Sequence, residues 1–429
     1  MTVFRLRDQR AQTALIDIQP AFSRCLLCYG ALALLLSGCF TDDGLSEADQ
    51  GAGELAAPQS RPSVLQGLAE NVYAPTFERV HQEFQALEIA VEAWDGRGEG
   101  EALIAAQAAW QSAVLSWQRA ELMQVGPAGA VDRRVGGAGL REKIYSYPIT
   151  NRCRVEQALA GGDFETEGWI EEAQPSIVGL DALERLLFSF DGENSCPTAA
   201  RINREGLWEA LFTEPGKIES QRSSYARVLA ESLRGHSEAL VEAWSLDQSD
   251  SFGADFGSGS GLFSDHQEVL DQVYAGLFYL DQQIKDLKLA VPAGLSLDCD
   301  LSDCPETLEF ASTQLGLESL LENFVAVELI FEGAPSPESG ADEGGFARLL
   351  SEAGEPALRD RIREAIQTAK AAVEAVPLSL YDGDEALEAA RPALQEAHRA
   401  AQALTTLFKS QLVTVLNLSV PQEGAGDND

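Results

Sequence analysis

The chain has 429 residues, of which 45% are hydrophobic and 23% are charged, and its formal net charge at pH 7 is −37. A protein this acidic repels nucleic acids and anionic lipid surfaces, so we expect no nucleic-acid partner. The charge favours either solubility in a salty setting or the attraction of cations.

The first 38 residues have the three parts of a bacterial export signal. Four arginines make the start basic, and residues 25–36 form an apolar run that is shorter than the roughly 20 residues needed to span a bilayer. Residues 36–39 (LSGC) resemble the site at which bacterial lipoproteins are cleaved and lipidated. We therefore predict a signal peptide over residues 1–38 and a lipid anchor on Cys39, with an ordinary signal peptide as the alternative.

Residues 39–62 are polar, acidic and rich in glycine and alanine, which predicts a flexible tether. The residue after Cys39 is Phe40 and not aspartate. By resemblance to lipoprotein sorting, this favours an anchor in the outer membrane, with the body facing the periplasm.

The body that follows is predicted to be all-α, because its apolar residues recur at intervals of three and four. A Gly/Ser/Asp-rich segment, residues 246–262, is predicted to be a linker between two helical bundles, residues 63–245 and 263–420. Residues 421–429 are predicted to be an acidic tail. Four tryptophans at helical spacing are predicted to lie in the core: Trp110, Trp117, Trp208 and Trp244.

Four cysteines remain after export, and an even number in an oxidising compartment predicts disulfides. They are Cys153, Cys196, Cys299 and Cys304. Three pairings are possible, and we favour Cys153–Cys196 with Cys299–Cys304, because each of these bridges closes a local loop.

Five segments, in order along the chain, resemble the imelysin family of exported bacterial proteins. They are residues 71–75 (NVYAP), 117–121 (WQRAE), 139–148 (GLREKIYSYP), 179–184 (GLDALE) and 277–280 (LFYL). The resemblance implies two packed helical bundles and an association with iron uptake. It also implies a GxHxxE motif, proposed as a metal-binding peptidase element.

This chain departs from that motif at its imidazole: Gly179 and Glu184 match, but Asp181 stands at the histidine position. Asp181 and Glu184 are three residues apart, so a helix would place them on one face, about 5–6 Å apart at Cβ. Such carboxylates can bridge a divalent or ferric ion, pair with Arg141 or Arg185, or share a proton. Alternatively, Asp181 complements the dipole at a helix start.

The GLREKIYSYP segment is expected either to complete a polar pocket with Asp181 and Glu184 or to form a structural turn. Arg141, Tyr145 and Ser146 are the candidate ligands from this segment, and Glu121 is a further candidate. The charged residues around Lys285 and Lys288 are expected to form a solvent-exposed patch.

These features favour a lipid-anchored, periplasm-facing binding protein that is associated with metal uptake and uptake-system proteins, and disfavour an enzyme. A metallopeptidase is the alternative, but the sequence has no HExxH motif, the usual zinc-peptidase combination of two histidines with a general-base glutamate. A scaffold protein without a small ligand is a third hypothesis.

Overall fold

The computed structural model describes residues 59–97, 100–188, 192–296, 308–333 and 344–421. Every regular element within these ranges is helical, which confirms the all-α prediction. The described residues all belong to one compact unit. The predicted signal peptide, Cys39, most of the tether, the Cys299–Cys304 bridge and nearly all of the acidic tail lie outside the described residues.

The helices of the first part of the body are α1 (Arg61–Leu68), α2 (Ala74–Ala93), α3 (Glu101–Ala120), α4 (Leu140–Ile144), α5 (Arg152–Gly161), α6 (Trp169–Glu172), α7 (Gly179–Leu187), α8 (Arg201–Arg204), α9 (Leu207–Thr213) and α10 (Lys217–Ala243). A π-helical turn, Ala69–Tyr73, joins α1 to α2. Short 3₁₀ turns occupy Gly126–Ala128, Asp163–Glu165 and Pro175–Ile177.

The later helices are α11 (Phe252–Ser258), α12 (His266–Leu277), α13 (Gly316–Glu332), α14 (Gly345–Glu352), α15 (Pro356–Glu374), α16 (Asp384–Leu407) and α17 (Val413–Leu416). Two π-helical segments, Leu280–Ala290 and Phe408–Leu412, and a 3₁₀ turn, Leu378–Tyr381, complete this part. Among the helices described, none is long and apolar enough to cross a membrane.

Two groups of helices pack against each other through α3 and α13. In the first group α2 packs on α3 and α10, and α7 packs on α10; in the second, α16 packs on α15 and on the Leu280–Ala290 helix, and α13 packs on α15. The four tryptophans predicted to lie in the core are all buried. The α3–α13 seam matters for the site, since buried charges lie along it.

Residues 246–262, predicted to be a linker without helical pattern, contain helix α11. The Ser251 hydroxyl caps this helix by accepting a hydrogen bond from the backbone N–H of Ala254 at 3.1 Å. Phe252 and Phe256, one turn apart, are buried against Trp244 at ring-centroid distances of 5.2 and 5.1 Å. Aromatic burial therefore orders a segment whose glycines and serines suggested a loop. The division into two bundles at this segment stays a prediction.

A disulfide joins Cys153 to Cys196, which confirms that predicted pair. It links the first turn of α5 to the segment that precedes α8. The sequence separation of 43 residues corresponds to a loop-closure contribution of about 4 kcal/mol in the chain-entropy treatment. The bridge therefore ties α5 to a segment that follows α7, the helix that carries the candidate site.

Candidate functional site

Helix α7 starts at Gly179, and this glycine allows α7 to approach the end of α4 closely. Gly179 has a φ of +80°, and a Cβ built there would lie 2.6 Å from the carbonyl oxygen of Ile144. Any other residue would be strained in conformation and would also collide with backbone. The glycine of the motif thus serves to bring Asp181 beside the segment that follows α4.

Asp181 lies in the first turn of α7, as a helix start predicts, but it is 9% exposed and faces protein. Its Oδ2 accepts a hydrogen bond from the backbone N–H of Ser146 at 2.8 Å, and the Ser146 hydroxyl lies at 3.5 Å. Burial raises the pKa of Asp181 to about 7, although the Ser146 N–H opposes this shift; nearby Glu184 raises the pKa further. Asp181 therefore changes its charge near neutral pH.

Glu184 lies one turn further along α7. Its Oε1 accepts hydrogen bonds from the hydroxyls of Ser312 and Thr313, the latter at 3.3 Å. Burial raises the pKa of Glu184, and the two hydroxyls together with the charge of Arg152 counteract part of the rise. Segment 308–313, which sequence analysis did not connect with α7, thus closes over this carboxylate.

Both carboxylates border a cavity of about 160 Å³. Aromatic rings and a proline form much of its wall: Tyr145, Tyr147, Pro148 and Phe310. Arg152 and Arg185 also line the cavity. The structure therefore brings the GLREKIYSYP segment and the α7 motif together around one space, as the pocket hypothesis expected, with Ser146 contributing its backbone N–H to Asp181.

The arginines considered as partners for these carboxylates form their ion pairs elsewhere. Arg141 pairs with Glu121 at 3.2 Å and with Glu142 at 3.0 Å. Arg185 pairs with Glu156 at 2.6 Å. Arg141, one of the partners suggested by the sequence, therefore forms its close ion pairs with other carboxylates, although its charge still lowers the pKa of Asp181. Helical spacing cannot reveal its contact with Glu121.

Behind the cavity lies a buried group of charged and polar side chains, which we call the Lys288 cluster. Its members are Gln118, Glu121, Arg141, Tyr279, Lys288, Glu309 and Asn323. The Lys288 ammonium donates to Gln118 Oε1 at 2.7 Å and Glu121 Oε2 at 2.9 Å, and it contacts Glu309 Oε1 at 2.8 Å. The cluster spans the seam between α3 and α13, because Asn323 of α13 joins it.

The predicted solvent-exposed patch around Lys285 and Lys288 is wrong. The two residues are 1% and 4% exposed. Lys285 lies 3.6 Å from Asp281, and Lys288 meets carboxylates that are distant in sequence. A buried lysine is tolerated because opposite charges and hydrogen-bond acceptors surround it.

Glu121, a candidate pocket ligand from the sequence, belongs to this cluster and does not line the cavity. Burial alone would raise its pKa, but Lys288 and Arg141 outweigh burial and lower it, so the carboxylate stays ionised. For Glu309, burial prevails over Lys288 and the pKa is raised. Tyr145 connects the two sites, since its ring lines the cavity and its hydroxyl donates to Glu309.

The residues present do not form a complete protein-ligated metal centre. In the part of the chain that the structure describes, no three histidine, cysteine, aspartate or glutamate side chains are grouped so that they could hold a metal ion. Glu309, a third carboxylate whose charge acts on Asp181, directs its Oε1 to Lys288 and Tyr145 and does not line the cavity. Any ion beside Asp181 and Glu184 would therefore retain water or other ligands of its own.

Comparisons with known proteins agree with this architecture. An iron-regulated protein A precursor from Parabacteroides distasonis ATCC 8503 superposes with a TM-score of 0.61 at 18% identity, over 83% of this chain and 97% of that one. An imelysin-like protein from Psychrobacter arcticum 273-4 gives a TM-score of 0.61 at 16% identity, over 84% and 96% of the two chains. No curated protein matches the sequence.

The family model of imelysin, peptidase family M75, matches residues 73–411. This range begins beside the first residue of α2 and ends shortly before α17, so it covers most of the helical body. This range includes the α7 motif, the GLREKIYSYP segment and the Lys288 cluster. The chain therefore belongs to the imelysin family.

Proposed function

We propose that this protein is a binding protein of the bacterial envelope that carries a hydrated divalent or ferric cation, with iron as the leading candidate. The observation that carries the proposal is the pair Asp181 and Glu184, which border one cavity with raised pKa values. Neither carboxylate has an ion-pair partner among the described side chains. A cation bound between them would give each carboxylate the direct positive partner that Arg152 and Arg185, which also line the cavity, do not provide.

The chemistry of the two groups favours a hard cation. Carboxylate oxygens are preferred by hard ions, and three-residue spacing on a helix sets the carboxylates about 5–6 Å apart at Cβ, within reach of one hydrated ion. Two protein ligands leave most of the coordination shell to water. Such an arrangement suits a cargo ion that must be released again better than a permanently bound cofactor.

Iron is favoured among such ions because one of the similar structures is described as an iron-regulated protein A precursor. The lipoprotein signal at residues 36–39 supports an anchor on Cys39 in the outer membrane, facing the periplasm. A tethered body in this position could pass its ion to proteins of an uptake system. Export also fits the Cys153–Cys196 disulfide, since such bonds persist in oxidising compartments.

The test is a calorimetric titration of the mature chain at pH 7.5 with Fe²⁺, kept anaerobic, and with Mn²⁺. We expect binding by the wild type and at least about tenfold weaker binding by Glu184→Gln, a loss of about 1.4 kcal/mol. Glu209→Gln, which changes an exposed glutamate on α9, is the matched control and should bind normally. The proposal would be removed if neither ion gave heat with the wild type, or if Glu184→Gln bound them as tightly as the wild type does.

The peptidase alternative is tested with the same preparations. Cleavage of an unfolded protein substrate that stops on adding a chelator would establish it and overturn the assignment as a binding protein. We expect no such cleavage, because Asp181 stands at the motif's histidine position and no histidine is among the described residues that line the cavity, whereas zinc peptidases use paired imidazoles.

A further inference from the structure

A second cavity of about 160 Å³ borders the Lys288 cluster through Arg141 and Tyr279. Among the described residues, its lining includes three arginines, Arg133, Arg134 and Arg141, and one carboxylate, Glu142. We propose that this cavity binds a small oxyanion of the carboxylate or phosphate class, at a site independent of Asp181 and Glu184.

The charge of the lining stands out against the rest of the protein. The chain carries a net charge of −37, yet three guanidinium groups and one carboxylate surround this space. Arginine is well suited to oxyanions, since its planar fork of N–H donors matches carboxylate and phosphate oxygens. Arg141 is already paired with Glu121 and Glu142, and Arg133 lies 3.9 Å from Asp132, so the arginines offer an anion several oriented N–H donors in addition to their charge.

Arg141 is held in place before any ligand arrives. It is 6% exposed, and its Nη2 donates to Glu121 Oε1 at 3.2 Å, to the Tyr147 carbonyl oxygen at 3.2 Å and to the Tyr279 hydroxyl at 2.6 Å. Its Nε–H is buried without a hydrogen-bond partner among the described residues. Leaving such a donor unpaired costs about 1–3 kcal/mol, and an oxyanion oxygen would satisfy it.

Gln283 offers a complementary group in the same wall. Its Oε1 is buried and accepts no hydrogen bond from any described residue. This oxygen can accept a hydrogen bond from the hydroxyl of a hydroxycarboxylate or of a protonated phosphate. Two unpartnered polar atoms of opposite hydrogen-bonding character therefore belong to residues that line one cavity.

The backbone around the cavity is built for close packing. The Arg134 side chain lies over Gly129, where a Cβ would approach its Cγ to 2.5 Å, and Arg134 Nη2 donates to the Ala275 carbonyl oxygen at 3.3 Å. Gly276 packs against the Leu122 carbonyl oxygen, which a Cβ would approach to 2.9 Å. The contacts with Gly129 and with the Ala275 carbonyl restrict Arg134, so less conformational entropy is lost on binding.

The experiment is a calorimetric titration of the mature chain at pH 7.5 and low salt with inorganic phosphate and, separately, with citrate. We expect at least one of these probes to bind the wild type, and the more strongly bound probe assigns the ligand class. Gln283→Glu keeps the side-chain shape and adds a negative charge to the wall, so it should weaken binding at least about tenfold. Gln85→Glu, at an exposed position on α2, is the matched control and should leave binding unchanged.

Two further variants keep the test decisive. Arg133→Gln changes a more exposed member of the lining and serves if Gln283→Glu loses its helical circular dichroism signal; it should also weaken anion binding. Glu184→Gln should leave anion binding intact, which separates this site from the proposed cation site. No heat from the wild type with either probe at millimolar concentration, or wild-type affinity in Gln283→Glu and Arg133→Gln, would overturn the proposal.

Discussion

Replacing Lys288 by methionine tests whether the buried cluster holds the two groups of helices together. The substitution keeps an unbranched side chain of similar length and removes the ammonium group. Lys288 lies 2.9 Å from Glu121 and 2.8 Å from Glu309, and the side chains of these two carboxylates are 0% and 4% exposed. Removing one partner from a buried charge pair costs about 3–5 kcal/mol.

The structure places the expected loss near the lower end of that range. Glu121 would keep Arg141 at 3.2 Å and remain partly compensated. Glu309, whose pKa burial already raises, would take up a proton and so avoid an uncompensated charge. We therefore expect Lys288→Met to lower the free energy of unfolding by about 3 kcal/mol at pH 8.

The assay is urea unfolding followed by far-ultraviolet circular dichroism. Lys370→Met is the matched control, because Lys370 pairs with Glu328 at 2.7 Å but the two side chains are 22% and 26% exposed; it should lose less than about 1 kcal/mol. The pKa of Glu121 is lowered, so its stabilising contribution exists above the unfolded-state pKa and is lost as pH falls. The difference between wild type and Lys288→Met should accordingly shrink towards acid pH. A loss below about 1 kcal/mol at pH 8 would refute the argument.

Three further predictions concern the site and its supports. Burial raises the pKa of Asp181 to about 7, so the folded protein loses stability as pH rises through that value and the buried carboxyl ionises. Asp181→Asn removes this ionisation and should raise the melting temperature at pH 8 but not at pH 4; equal effects at both pH values would contradict this. Replacing both Cys153 and Cys196 by serine should lower the free energy of unfolding, measured in urea, by about 4 kcal/mol. An unchanged urea midpoint would show that the bridge contributes nothing. Gly179→Ala should reduce the melting temperature far more than Gly206→Ala, because both glycines have positive φ but only a Cβ at Gly179 meets backbone, at 2.6 Å; similar losses would disprove the close-approach argument.

Periodicity and motif order were sufficient to predict much of the fold. The three-and-four spacing of apolar residues identified the long helices and the buried tryptophans, since amphipathic faces are local patterns. The α7 motif and the GLREKIYSYP segment were expected to meet, and they border one cavity. The Cys153–Cys196 pair followed from local pairing in a chain that was predicted to be exported.

The Lys288 cluster could not be predicted in the same way, because its members are joined across the α3–α13 seam. Lys288 and Glu121 are 167 residues apart, and nothing in the spacing of either residue reveals the other. A lysine between Leu287 and Leu289 was the available signal, as it interrupts an apolar stretch. Glu309 lies in a segment without periodicity, so its contacts with Lys288 and Tyr145 depend on tertiary structure alone.

The most direct test of the proposed function is the iron content of the mature protein after anaerobic dialysis against excess ferrous iron and removal of the free ion at pH 8. We expect one iron per wild-type chain and none above background in the double variant Asp181→Asn, Glu184→Gln, with helicity unchanged. Equal iron content in the two proteins, or none in the wild type, would contradict a cation site at these two carboxylates.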